Sequence, residues 1–115
     1  MRKFLIAIGL MLFAGQANTY YVWGIGEMQC KHFVSAKAEY EHARDRTTHP
    51  EQLNWIKGFI TGINWTHDSN IARDLTIETV DNWIDGYCRQ NLSHTIAKAS
   101  EALVAHLEGE SSKTE

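Results

Sequence analysis

The residue types that most often carry chemistry are present in this chain but scattered along it. The six histidines, His32, His42, His49, His67, His94 and His106, lack the one-turn spacing that sets two imidazoles on one helix face, and no His-Glu-x-x-His occurs. His42 and Asp45 stand three apart in a charged stretch. His67-Asp68 is the one adjacent pair that could do acid–base work, against the ordinary role of such residues in capping and solvation. Ser35, Ser69, Ser93 and Ser100 lack the turn that exposes a nucleophile. A metal centre needs several ligands at set spacings, and none is legible. These features predict no catalytic residue, no metal and no cofactor, so an enzyme is not expected.

The four tryptophans are more suggestive. Trp55 and Trp83 fall on apolar helical faces, where core packing is the plain reading. Trp23 and Trp65 lie near element ends and are the candidates for a binding surface. Two sequons, Asn64-Trp65-Thr66 and Asn91-Leu92-Ser93, are discounted, the first because it falls within a helical pattern.

The cysteines depend on the compartment. Met1-Arg2-Lys3 precedes an apolar run from Phe4 to Phe13, and Ala14-Gly15-Gln16-Ala17 supplies small residues where a signal peptidase cuts. The run is shorter than the roughly 20 residues a spanning helix needs. Residues 1–17 therefore read as a cleaved signal peptide of bacterial type, and the protein is expected to be periplasmic or secreted. Residues 18–109 read as one helical domain and residues 110–115 as a disordered tail. In an oxidising compartment, Cys30 and Cys88 with no third cysteine read as one disulfide.

Removing Arg2 and Lys3 leaves 9 basic against 14 acidic residues, a charge of −5. No basic run or arginine-rich face exists, which argues against nucleic acid. An acidic surface also argues against anionic membranes, so no stable membrane insertion is expected after signal cleavage. With all carboxylates neutral, the basic residues and six histidines would carry about +15 and repel one another.

Four helices must position these residues. The first is expected over residues 28–46, with Cys30, Phe33, Val34 and Ala38 on one face and Lys37 at its edge. The second is expected over 50–66. Thr48 and Glu51 offer a capping box, and Pro50 suits a first turn. Leu53, Ile56, Phe59, Ile60 and Ile63 make its face so broadly apolar that it belongs mid-bundle. Gly58 and Gly62, four apart, suggest close approach by another helix. The third helix is expected over 76–90, capped by Thr76 and ended by Asn91 in a left-handed conformation. The fourth is expected over 93–108, with Ile96, Ala99, Ser100, Leu103, Val104 and Leu107 in a stripe and Gly109 as its stop. Residues 18–27 are aromatic and glycine-punctuated, either an arm packed on the helices or a strand free for a partner. The fold class is all-α, a single-domain four-helix orthogonal bundle with one disulfide. That disulfide would tie helix one to helix three and clamp helix two between them.

Gln29-Cys30-Lys31-His32-Phe33, Trp55-Ile56-Lys57-Gly58-Phe59 and Gly86-Tyr87-Cys88-Arg89-Gln90-Asn91, ahead of an alanine-rich last helix, resemble the HdeA/HdeB-like group of small periplasmic proteins. The resemblance spans about Cys30 to Leu107. The group commonly shows Asn-Pro after the second cysteine, where this chain has Asn91-Leu92. The resemblance implies an acid-activated chaperone that binds unfolding protein clients through Trp55, Ile56, Phe59 and Ile60. The other reading is a periplasmic binding module, an inhibitor or immunity protein against a cell-wall-degrading enzyme. It would use Trp23, Trp65, the arm and the 67–74 loop on one protein partner. A homodimer and a purely structural accessory stay open.

The disulfide would close a long loop, worth roughly 4 kcal/mol in the chain-entropy account. Denaturant titration with and without reductant is expected to show a loss of about that size.

Overall fold

The computed structural model describes residues 21–113, with side chains through Glu110. The signal segment, its cleavage point and residues 18–20 lie outside the described residues, as do residues 114–115. A short 3-10 helix, Gly24–Glu27, precedes four α-helices: α1 (Cys30–Glu41), α2 (Thr48–His67), α3 (Ile77–Gln90) and α4 (Ile96–Lys113). The fold is all-α with one disulfide, Cys30–Cys88.

Helix α1 ends earlier than its charge pattern suggests. Ala43 takes a left-handed conformation, φ 58°. Its N–H bonds the Tyr40 carbonyl at 3.1 Å, and the Arg44 N–H bonds the Glu39 carbonyl at 2.9 Å. This paired closure is a Schellman turn built without glycine. Arg44 then forks onto the Glu39 carboxylate at 2.9 and 3.0 Å. That pairing holds the carboxyl below its usual range.

The expected capping box on α2 does not form. Thr47 is the N-cap residue and its side chain makes no cap bond. Asp45 caps instead. One of its oxygens accepts from the backbone N–H groups of Thr47 at 2.9 Å and Thr48 at 3.2 Å. Both threonine hydroxyls donate to the same carboxylate, Thr48 at 2.6 Å. A carboxylate reaching back from the preceding turn outcompetes a local threonine because an ionised acceptor makes stronger bonds.

Thr76 caps α3 as expected, accepting from the Thr79 N–H at 3.2 Å. Asn91 is not left-handed (φ −141°) and closes α3 through its side chain, which donates to the Tyr87 carbonyl at 2.9 Å. Helix α4 starts later than expected. Cys30 N–H donates to the His94 carbonyl and Ile96 N–H to the Met28 carbonyl, 2.7 and 2.8 Å. Residues 92–95 are thus tied to the start of α1 before Thr95 caps the new helix at Lys98 N–H, 3.1 Å. Helix α4 then runs past Gly109 to Lys113, so neither the expected stop nor a tail beginning at residue 110 is observed.

The core gathers Cys30, Phe33, Ile56, Ile84, Ile96 and Leu103, each at most 1% exposed. Its arrangement differs from the expected clamp. Helix α1 lies directly against α3, while α2 packs on α1, on α4 and on the 3-10 helix. The arm is packed on the helices: Ile25 lies against the core, and Gly26 is buried where a Cβ would overlap the Trp55 ring and Val22. Gly58 and Gly62 face open space, not another helix. Their pattern misled because two small residues four apart mark a face without saying what covers it.

The glycines separate in a mutational test. Gly58→Ala and Gly62→Ala should each raise stability by about 1 kcal/mol, as at exposed helix interiors. Gly26→Ala should lower it by about 1–3 kcal/mol through overpacking. Urea midpoints measure all three.

Candidate functional site

The residues expected to form a contact surface do not share one. Trp23 and Trp65 are 79% and 88% exposed, the most open large apolar side chains described. Trp23 has Tyr21 edge-on at 5.3 Å, itself 71% exposed. Trp55 and Phe59 are half-buried and stacked at 5.6 Å. Trp55 also donates its indole N–H to the Trp23 carbonyl at 3.0 Å, tying arm to helix. Ile56 and Ile60 are in the core and meet no solvent-borne partner in this state. Trp65 follows Trp55 by ten positions, about 15 Å along the helix axis. Trp83 is half-buried between Tyr87 at 5.8 Å and His106 at 5.5 Å.

Of the candidates for chemistry, His67 and Asp68 are both exposed, and Asp68 serves as the left-handed C-cap of α2. The Asn64 side-chain amide folds the next loop. It accepts from Ser69 and from the Ile71 N–H at 3.0 and 2.8 Å, and donates to the Ile71 carbonyl at 3.1 Å. Ile71 and Ala72 thereby pack on the core, so the 67–74 segment is only partly the solvated loop its composition suggests. Among the described residues no group of three His, Cys, Asp or Glu could hold a metal ion. No described helix is long and apolar enough to cross a membrane.

The site that sequence reasoning missed lies where α1, α2 and α3 meet. His49, in the first turn of α2, is 2% exposed. Its Nε2 contacts Asp81 Oδ2 of α3 at 3.0 Å and its Nδ1 contacts Gln52 Oε1 at 3.3 Å. The ring stands edge-on to Phe33 at 4.9 Å. Lys37 reaches in from α1. It donates to Asn82 Oδ1 at 2.9 Å and sits 3.5 Å from Asp81 and 3.9 Å from Asp85. Arg89, one turn on, donates to Asp85 at 2.9 Å. Asp81 Oδ1 and Asp85 Oδ1 are buried and accept no hydrogen bond, while the Oδ2 atoms are engaged by His49 and Arg89.

Chemically this cluster is a fastening. Both ring nitrogens of His49 are engaged and the ring is out of solvent, so it has no free position for a substrate proton. The signals were faint: Lys37 interrupting an apolar stripe, and Asp81, Asp85 and Arg89 at four-residue steps beside Val80, Ile84 and Cys88. The first turn of α2 is therefore held from outside by two carboxylates, Asp45 at its cap and Asp81 at His49.

Fold and site define an all-α, disulfide-stapled protein with a partly buried ionic junction around His49 and separate exposed tryptophans. No family model, no curated protein and no solved structure matches the chain. The resemblance to the HdeA/HdeB-like group therefore rests on the quoted residues alone.

Asp45 provides the pH test. Its hydrogen bonds with Thr48 and Thr47 hold its carboxyl far below the usual carboxylate range. A depressed folded value means its contribution is complete above the unfolded value of about 3.9 and is lost as pH falls toward the folded one. Asp45→Ala should therefore lower the melting temperature at pH 7, and the gap to the wild type should close progressively below about pH 4. Asp81→Ala, which strips a buried partner from His49 and Lys37, should cost about 2 kcal/mol at pH 7. Thermal melts across pH check both.

Proposed function

We propose that this chain is an exported protein without catalytic activity, residing in the periplasm, that binds unfolding proteins when acid loosens α2. One observation carries this reading: both outside anchors of the first turn of α2, Asp45 and Asp81, are carboxylates. A carboxyl released from the cap takes its proton more readily than the capped one, so the stabilising contribution of Asp45 fades below about pH 4. The Asp81 carboxylate is the anion between Lys37 and His49 at the same turn. Helix α2 carries Leu53, Ile56, Phe59 and Ile60, an apolar face that would meet clients once released. The disulfide joins α1 to α3, and α2 lies within the loop it closes, so the chain stays tied while α2 parts from its neighbours. The swing from −5 to about +15 adds general repulsion. The leader and the disulfide support export to an oxidising compartment.

A second reading is favoured by a different observation, the exposure of Trp23 and Trp65 in the folded state. Aromatic side chains standing in solvent suit a binding module at neutral pH, such as an inhibitor or immunity protein against a cell-wall-degrading enzyme. Stoichiometric capture of one partner at pH 7 would favour this second reading.

For the first reading, the oxidised protein should bind hydrophobic dye and suppress client aggregation at pH 2–3 but not at pH 7. The Asp45→Ala/Asp81→Ala variant should begin dye binding at higher pH than the wild type. A protein that leaves clients to aggregate at pH 2–3 overturns acid-driven holding.

A further inference from the structure

A groove of about 400 Å³ runs between the second half of α2 and the chain leading into α3. Its floor is apolar, built from Ile60, Ile71, Ile77 and Val80. Its lining includes two cations, Lys57 and Arg73, and no carboxylate. In a chain of formal charge −3 this is a local inversion of sign. Both cations are available. Arg73 is exposed and makes no ion pair among the described residues, and Lys57 has only the Asn54 side-chain oxygen at 3.5 Å.

The groove wall is held in place. The Asn64 amide makes three hydrogen bonds to Ser69 and Ile71, and Ala72 sits in a left-handed turn, φ 67°. Trp65 follows the groove residue Thr61 by four positions, so it stands one turn along the same side of the helix. It is 88% exposed and touches little of its own chain. An apolar floor, two unpaired cations and an open indole at the edge together specify the complement: apolar side chains with a carboxylate beside them.

We propose that this groove docks an extended segment of a partner protein, presenting one or two apolar side chains next to an acidic one. The inference rests on the neutral-pH binding reading. An extended chain fits better than a free fatty acid because small ligands usually need 70–90% of their surface enclosed. Here one side lies open to water, where a peptide backbone stays hydrated. Charge complementarity selects the acidic segment: Lys57 and Arg73 would steer and orient it, while Ile60, Ile71 and Ile77 receive its apolar side chains.

The test uses the oxidised, 15N-labelled protein at pH 7 and three blocked peptides, Ac-Ser-Leu-Glu-Leu-Ser-NH2 and its Gln and Lys counterparts. The Glu peptide should shift the amides of Ile71, Arg73 and Ile77, with the Gln peptide weaker and the Lys peptide weakest. Arg73→Gln should weaken the Glu peptide about two- to fivefold and leave the Gln peptide unchanged, the size expected of an exposed ion pair. Trp65→Ala should weaken Glu and Gln peptides alike. Both residues are exposed, and far-UV circular dichroism checks that the variants keep the fold. Equal binding of all three peptides overturns the charge selection. Sodium laurate shifting the groove amides where the Glu peptide does not overturns the choice of a peptide. Shifts confined to Tyr21 and Trp23 overturn the groove but leave the binding-module reading standing. No shifts anywhere at millimolar peptide overturn the groove, and failure to capture any partner at pH 7 separately removes the reading beneath it.

Discussion

Cys30 sits in the first turn of α1 and Cys88 in the last turn of α3, and their bond lies at the centre of the core with both residues fully buried. The same point registers α4. Backbone groups of Met28, Cys30 and Lys31 bond to Ile96, His94 and Leu92, so the link after α3 is fastened beside the bond that ends it. Phe33, Ile84, Ile96 and Leu103 close around it. A chain this short buries a limited share of its surface. A covalent tie with a long loop restricts the unfolded ensemble where burial alone is thin. Three of the four helices meet at this one constraint.

Helix α2 lies within the loop that this bond closes but carries neither cysteine. It is joined to the rest by packing on α1 and α4, by Gly26 fitting beneath Trp55, and by two carboxylates at its first turn. Those attachments differ in kind. Some are apolar packing; the others are charged contacts gathered at the end of α2 where His49 and Lys37 converge on Asp81. The exposed tryptophans stand apart from this junction. Trp23 sits on the arm, and Trp65 near the far end of α2, beside a groove whose cations face solvent. The molecule carries a masked apolar face and an unmasked aromatic one, on the same helix.

Much of the fold was legible in the chain. The stripe Ile96, Ala99, Ser100, Leu103 repeats at helical steps and is buried as expected. Thr76 caps as a threonine before an apolar run should. The exposure of Trp23 and Trp65 followed from their places at element ends. The failures have identifiable causes. Asp45 took the cap assigned to Thr48 because the turn after Ala43 brings its carboxylate back onto the helix. Asn91 was read by residue type as a left-handed stop, but its side chain found the Tyr87 carbonyl. Ile56 and Ile60 were grouped with Trp55 and Phe59, yet a step of one residue, about 100° around the helix, puts the first pair in the core and the second at its rim.

The sequence by itself determined the four helices, the pairing of its two cysteines, and the apolar faces that had to be covered. Periodicity is a property of one element at a time, and it is written in neighbouring residues. Only the tertiary structure decided which faces meet. It set α1 against α3 and left α2 to the side. It brought Lys37 to Asn82 across 45 positions and His49 to Asp81 across 32. It also left Gly58 and Gly62 facing solvent. These outcomes depend on the angles at which helices cross and on turns that single residues such as Ala43 and Asn64 close. The polar junction emerged from that packing, because charges distant in the chain become partners only once the helices carrying them are fixed together.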